Sequence, residues 1–453
     1  MPLRAHRLVT VLLLAPTVGQ GAEFSILPDG TGDFPTVQAA VDAAAAGDTI
    51  VLEDGLFSGP GNRDITFGGK DVIVRSGNGP AFTTIDCEGT QTHPHRAFRL
   101  DQGETPAARI EGLTIKGGFV DGPFPESGGG GILVAYDTAP TITNCVFDGN
   151  RTGFQGFGAG LLAWENCDIT LTDCVFIHGE SGWYGGGFVL RKGCDAVVER
   201  CLVDQNYALH AGGGISITNS HPQVTDCLFT NNWVTEAGGG GVLVKAEAEP
   251  VFTRCIFAGN TSWSGSGMGL GNWPKVTLVD CLFDGNVAVV GGGGGLGLDE
   301  HGCEVIATNC TFVNNRAPGS GQHLFVNQTS IVTLRNSIFW GGCAAVNPAY
   351  VALNGTIDVD CSIVEGGESA ITGVGNVVYG PSNQDVDPEF CAPGNCETQA
   401  GDYTIAGASP AAPWQSPCGL VGAYPVACGV TSAGFSLEPE SWSAVKARYR
   451  RTP

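Results

Sequence analysis

Charge is scarce in this sequence, and positive charge is scarcer still. Only 15% of its 453 residues are charged, and 22 basic side chains face 45 acidic ones for a net charge of −23. Nucleic acid is excluded as a partner, because phosphate contacts need a basic surface. Apolar runs are short as well: beyond Leu8 to Pro16, no stretch approaches the roughly twenty residues of a membrane-crossing helix. None of the 17 cysteines forms a Cys-x-x-Cys pair or has a histidine at ligand spacing, which removes a zinc site. No cofactor is expected; calcium stays open, with no ligand motif behind it.

Glycine is plentiful, at 70 residues, and it recurs with a period. Cys145, Cys174, Cys201, Cys227, Cys255, Cys281 and Cys310 follow one another at gaps of 29, 27, 26, 28, 26 and 29, and Ser337 stands 27 further on. Two residues after each comes Phe147, Phe176, Val203, Phe229, Phe257, Phe283, Phe312 or Phe339. Five after, six of the eight carry asparagine: Asn150, Asn206, Asn232, Asn260, Asn286 and Asn315. A unit of this length cannot bury its own apolar face, so units must stack as a solenoid.

Polarity within one unit selects the kind of solenoid. In residues 128–151, Ile132 and Val134 alternate, Ile142 follows a turn, and then come Cys145 and Phe147, all in runs too short for helices. Ile142 and Cys145 have opposite parity, so the chain must bend between them. The residue before each column cysteine is Asn144, Asp173, Arg200, Asp226, Arg254, Asp280 or Asn309, mostly the types that tolerate a left-handed corner. The prediction is all-β: a single-stranded right-handed parallel β-helix with three strands per coil and nine to eleven coils.

Gly129-Gly130-Gly131-Ile132 with Phe147-x-x-Asn150 resembles the repeat of chlamydial polymorphic outer-membrane proteins. More broadly the chain is similar to right-handed β-helix proteins of the pectate-lyase-like superfamily. That resemblance implies the fold; its hosts include lyases, hydrolases, esterases, adhesins and spacers. The signatures of the enzymes are missing: no Asn-Thr-Asp with Gly-His-Gly, no Gln-Asp-Thr with Asp-Phe-Ile-Phe-Gly, and no Arg-x-Pro-x-x-Arg occurs.

Along the chain, residues 1–22 read as a secretory signal peptide, with Arg4, His6 and Arg7 before the apolar run and small residues after it. Residues 23–59 form an N-terminal cap whose short helix, Gln38 to Ala46, plugs the first coil; Asp29, Asp33 and Asp48 serve its turns. Residues 60–430 form the β-helix, with a C-terminal cap from about 380. Residues 431–453 are a basic amphipathic tail with Trp442, Val445 and Tyr449 on one face, read as docked on the rod, as a sorting or attachment signal, or as disordered. Column cysteines read as small buried hydrophobes. Cys167 and Cys194 could bridge across one coil step, and Cys391, Cys396, Cys418 and Cys428 form the best disulfide group, with three pairings open.

Three rows are candidates for function. Phe154, Trp183, Tyr207, Trp233 and Trp263 supply one loop aromatic per coil, either a platform for sugar rings or a cover for the loop's own small core. Outward on the glycine-led strand stand Ala135, Trp164, Arg191, Thr218, Lys245 and Asp299. Trp164 joins the sugar-contacting set, and Arg191 and Lys245 would be the bases if the protein were a lyase, against the alternative of ordinary surface charges. Glu247, Glu249, Glu300 and His301 lie near without matching a ligand motif. Val146, Val175, Leu202, Leu228, Ile256, Leu282, Thr311 and Ile338 make an outward, largely aliphatic stripe, covered either by the C-terminal segment or by a partner molecule. The expected function is a secreted or cell-surface rod for adhesion or for binding extracellular polysaccharide or cell-surface glycan. The alternative is a polysaccharide lyase or glycoside hydrolase.

Overall fold

The computed structural model describes residues 21–319, 321–327, 329–341, 348–394 and 401–428. The proposed signal sequence, apart from its last two residues, and the basic tail lie outside them, as do Cys343 and Cys396.

Each strand pairs in parallel with its equivalents one coil before and one coil after, giving three sheets of 14, 12 and 12 strands. The product is a right-handed β-solenoid of about twelve turns, more than the repeat alone indicated because the irregular residues after 55 also complete full turns. A typical coil runs Ile215–Thr218, Gln223–Thr225 and Leu228–Thr230. Seven middle coils add a two-residue strand, such as Trp233–Val234, directly after the ladder asparagine or, in two of them, after Gly118 or Gly179 in its place, forming a further sheet between Phe119–Val120 and Val287–Ala288.

The corners are made as the sequence implies. Asn144, Asp173, Arg200, Asp226, Arg254, Asp280, Asn309 and Asn336 all have φ between 51° and 55°. Side chains on either side of such a corner can then both face inward. All seven column cysteines are fully buried free thiols, and Phe257, Phe283, Phe312 and Phe339 stack at 4.5–4.7 Å with nearly parallel rings.

Asparagine forms the polar column of the interior. Asn260 Nδ2 donates to Phe229 O at 2.8 Å and to Asn286 Oδ1 at 2.9 Å, while its own Oδ1 accepts from Asn232 N and Nδ2. The same pattern runs from Asn206 to Asn315. Glycine faces this ladder because nothing larger fits: a Cβ on Gly241 would stand 2.6 Å from Gly267 O and 3.0 Å from Asn260 Nδ2.

A helix, Val37–Ala43, closes the N-terminal end, capped by Thr36 and buried through Val37, Ala40 and Val41. It stops before Ala46, because Ala44 is already extended. Asp29, Asp33 and Asp48 accept backbone hydrogen bonds in the adjoining turns.

At the other end the chain folds back along the side of the rod. Tyr403 Oη accepts from Asn314 Nδ2, Ala423 N donates to Thr311 Oγ1, and Gly422 N donates to Asn336 O. The C-terminal segment therefore covers the aliphatic stripe from Ile256 to Ile338, burying Leu282, Thr311 and Ile338. Val175, Leu202 and Leu228 form their own cluster, each at most 8% exposed, with Val146 partly buried beside them.

Among the described residues, two disulfides hold this segment. Cys391–Cys428 lies within the C-terminal group, but Cys418 bonds to Cys361, outside it. Cys361 occupies the left-handed corner of its coil, at φ 56°, and Ser362 takes the column place, accepting from Ser337 N. That lateral position is what brings the Cys361 sulfur to the folded-back chain. Cys167 and Cys194 do not bridge: both are free and buried, and Cys167 N donates to Cys194 Sγ at 3.3 Å.

Candidate functional site

Arg191 is outward on the glycine-led strand but not free. Its guanidinium lies 5.1 Å from the ring centre of Phe157, 5.4 Å from Trp164 and 5.5 Å from Phe124. These rings pack on Leu133, Ala135, Leu162 and Val189, an apolar patch on the outside of the sheet. Burial lowers the Arg191 pKa, and its role is that of a cation among aromatic faces. Trp164, edge-on to Phe124 at 4.3 Å, belongs to the same cluster.

Lys245 is paired as well. Its Nζ reaches Glu300 Oε1 at 3.1 Å, passing over Gly271, the register partner of Lys245 in the coil between. Asp299 beside them is partly buried and accepts from Ser264 Oγ at 2.8 Å; burial pushes its carboxyl up to about 6. Glu249 N donates to His221 Nδ1. Among the described residues no three His, Cys, Asp or Glu side chains converge as a metal site.

The loop aromatics do not make one row. Tyr207 and Trp233 are register partners, with ring centres 5.4 Å apart, in a column that continues as Glu180 on one side and Thr261 on the other. Phe154 and Trp183 sit two residues beyond their short strands and meet at 6.4 Å, with His210 stacked on Trp183 at 4.8 Å. Trp263 directly follows Ser262, one place off from that second column. The result is two short aromatic steps and a separate tryptophan. Phe154 is 67% exposed, Trp263 45% and Trp233 42%.

A cavity of about 300 Å³ opens elsewhere, in the irregular N-terminal coils, lined by Asp64, His95, Arg96, Arg99, Asp121 and Glu126 among others. Asp64, in a left-handed corner at φ 54°, is hydrogen-bonded through Oδ2 to His95 Nδ1 at 2.6 Å and accepts Arg96 N at Oδ1. Arg99 Nη1 donates to both Glu126 oxygens at 2.8 and 2.9 Å, and its Nε to Asp101. Arg96 is only 7% exposed; its Nη2 donates to Glu126 O at 2.8 Å, while its Nη1 has no hydrogen-bond partner. Burial holds its pKa down at about 10.

Reasoning by rows misses this site, because it falls where the repeat is irregular. A local signal was present: His93, His95, Arg96 and Arg99 crowd seven residues of a chain poor in basic groups.

No curated protein matches this chain in sequence. Among solved structures, pectate lyase Pel9A is similar at 14% identity with a TM-score of 0.46, over 90% of this chain and 97% of that one. The PL6 family alginate lyase AlyGC is similar at 13% identity with a TM-score of 0.38, over 82% of this chain and 54% of that one. A family model described as right handed beta helix region matches residues 72–235 and 225–377, more than half of the sequence. Those matched coils are the ones whose cysteine, phenylalanine and asparagine columns build the rod, and the chain belongs to the right handed beta helix family.

Proposed function

We propose that the protein is a secreted or cell-surface rod that binds an extracellular polysaccharide or cell-surface glycan without turning it over. The observation that supports this is the exposure of Phe154, Trp233 and Trp263 on one side of the coils. Rings of this kind offer apolar faces on which sugars stack. Arg191 and Lys245, the side chains a lyase would use as bases, are engaged by aromatic rings and by Glu300. Export is part of this reading and rests on the Arg4 to Pro16 pattern; an amino terminus near residue 23 on protein recovered from the medium is the expected result.

Affinity electrophoresis in gels containing neutral or acidic polysaccharides tests the binding. Retardation is expected, weakened roughly fivefold by Trp233→Ala or Phe154→Ala, as suits the loss of about 1 kcal/mol per stacked ring. Unretarded migration in every glycan would refute it.

A second reading, a polysaccharide lyase or glycoside hydrolase, has one observation in its favour: Asp299, a carboxyl pushed up to about 6 beside the Lys245–Glu300 pair, has a pKa suited to acid–base work. Incubation with polyuronates and neutral glycans, with and without calcium, separates the two. Unsaturated product or new reducing ends, lost on Lys245→Ala, would establish the enzyme and overturn the rod.

A further inference from the structure

We propose that the cavity between Asp64 and Glu126 takes one carboxylate-bearing sugar residue, whose carboxylate displaces Glu126 from the Arg96–Arg99 pair. This deepens the glycan-binding reading and rests on it.

The chain itself provides a carboxylate in the receiving position. Glu126 is held by both oxygens on Arg99 Nη1, with Arg96 Nη2 3.4 Å from Oε2, although its side chain is 40% exposed. It comes from the loop following Phe119–Val120 and has no register partner in a neighbouring coil. An exposed loop carboxylate on guanidinium groups can leave without disturbing a sheet. Guanidinium forks match carboxylates in plane and spacing better than any other side chain does.

Arg96 shows that the present arrangement is incomplete. A guanidinium 7% exposed with Nη1 unpartnered retains an unused donor in a place where an unpaired donor is costly. The Asp64 and Asp121 carboxylates in the lining are acceptors suited to hydroxyls; Asp64 is bonded to His95 Nδ1 and Arg96 N, and Asp121 accepts from Gly122 N at Oδ1. Arginines and acceptors in one 300 Å³ space suit a single sugar ring with an acid group.

Charge narrows the ligand. Arg99 already has Asp101 on its Nε, and Asp64 and Asp121 line the same space. A dianion such as phosphate would add to this negative charge, whereas one carboxylate exchanged for Glu126 leaves the balance as it stands.

The test uses the full chain and isothermal titration with sodium D-glucuronate, D-glucose and sodium acetate. Glu126→Ala removes the internal competitor and Arg99→Ala the main fork; both side chains are partly exposed, so the fold tolerates either change. D-glucuronate is expected to bind Glu126→Ala roughly tenfold tighter than the unmodified protein, and to be lost in the double variant with Arg99→Ala. Glucose and acetate are expected to bind at least roughly tenfold more weakly than glucuronate. Equal affinity for glucose would overturn the carboxylate, equal affinity for acetate would overturn the sugar, and no tightening in Glu126→Ala would overturn the exchange. Trp233→Ala separates the two proposals: it should weaken retention by polysaccharide and leave glucuronate binding unchanged. Polysaccharide retention without glucuronate binding removes the cavity and leaves the rod; glucuronate binding without retention removes the rod and leaves the cavity.

Discussion

Replacing Asn260 by alanine interrupts the polar column at its centre, and its cost follows from the bonds on that side chain. Four hydrogen bonds disappear: those from Nδ2 to Phe229 O and Asn286 Oδ1, and those that Oδ1 accepts from Asn232 N and Nδ2. At about 1 kcal/mol each, with about 1–3 more for the Asn232 N–H left without an acceptor in a fully buried place, the loss is about 5–7 kcal/mol. Asn150 is the control. It is equally buried but has no stacked asparagine, only the bonds from Gly118 N and to Ile115 O, so with the same term for the orphaned Gly118 N–H, Asn150→Ala should cost about 3–5 kcal/mol, about 2 less than Asn260→Ala. Urea unfolding followed by both tryptophan fluorescence and far-ultraviolet circular dichroism measures the two variants. Two probes are needed because a solenoid whose neighbour coupling is cut can unfold in sections. In a double-mutant cycle, Asn232→Ala with Asn260→Ala should fall short of additivity by about 1 kcal/mol, since their side chains share one bond, Asn232 Nδ2 to Asn260 Oδ1. An Asn260→Ala variant within about 0.5 kcal/mol of the parent, or no worse than Asn150→Ala, would refute the claim that the ladder acts as a unit.

Cys418→Ser opens the 57-residue loop closed by Cys361 and should destabilise the protein by about 4 kcal/mol on chain-entropy grounds; faster proteolysis between residues 401 and 428 is the companion readout. His323, fully buried beside Asn315 and held down at about 3 by burial, is neutral in the folded protein. From its unfolded value near 6.5 downward, the unfolded chain takes a proton that the folded chain refuses, so stability falls between pH 6.5 and 3 by up to about 1.4 kcal/mol per unit. Asp284, pushed up to about 7 by burial, acts with the opposite sign between its ordinary 3.8 and 7. The check is therefore the difference in urea midpoint between the parent and His323→Gln at pH 7, 5 and 4, which should change in favour of the variant as pH falls. The column thiols, fully buried, with Cys145 pushed up to about 12, should resist a thiol reagent at pH 8 until urea unfolds the chain; rapid labelling of the native protein would contradict the burial.

The rod was legible because each of its features is stated many times over. Cysteine, phenylalanine and asparagine recur at one spacing, and the corner before each cysteine needs a left-handed residue, so one coil read correctly gives the next seven. The loop aromatics were harder to place. Tyr207 stands six residues after its column cysteine and Trp183 nine after, both in the loop of their coil, yet Tyr207 opens a strand and Trp183 follows one, and the pairing of the short sheet is what makes Glu180, not Trp183, the partner of Tyr207. Arg191 was legible as outward but not as enclosed, since Phe124 and Phe157 reach it from loops with no fixed spacing to it. Cys361 lies outside the C-terminal cysteine group, and its bond to Cys418 depends on how the chain returns along the rod.

Stacked repetition separates the parts of this molecule that hold it together from the parts that carry chemistry. Translating a coil onto its neighbour places like on like, which suits apolar columns and amide ladders but puts equal charges next to each other, so an equivalent position seldom builds a site. Unlike groups meet where one column changes residue type, as at the Asp173–Arg200 and Asp226–Arg254 corners, or where equivalence fails. Gly179 lacks the ladder amide and keeps only the backbone half of the pattern, its N–H donating to Asn206 Oδ1 as Asn206 N does to Asn232 Oδ1. Lys245 and Glu300 stand two coils apart and reach each other only because Gly271 offers no side chain between: a Cβ there would lie 2.7 Å from Glu300 Oε2 and 3.1 Å from Lys245 Cε. The cavity follows the same logic, since Asp64 and His95 come from irregular coils and Glu126 from a loop without a counterpart. In a β-helix of this kind the departures from the repeat are the places to look for binding, and Arg96 and Arg99 at the N-terminal end stand at one of them.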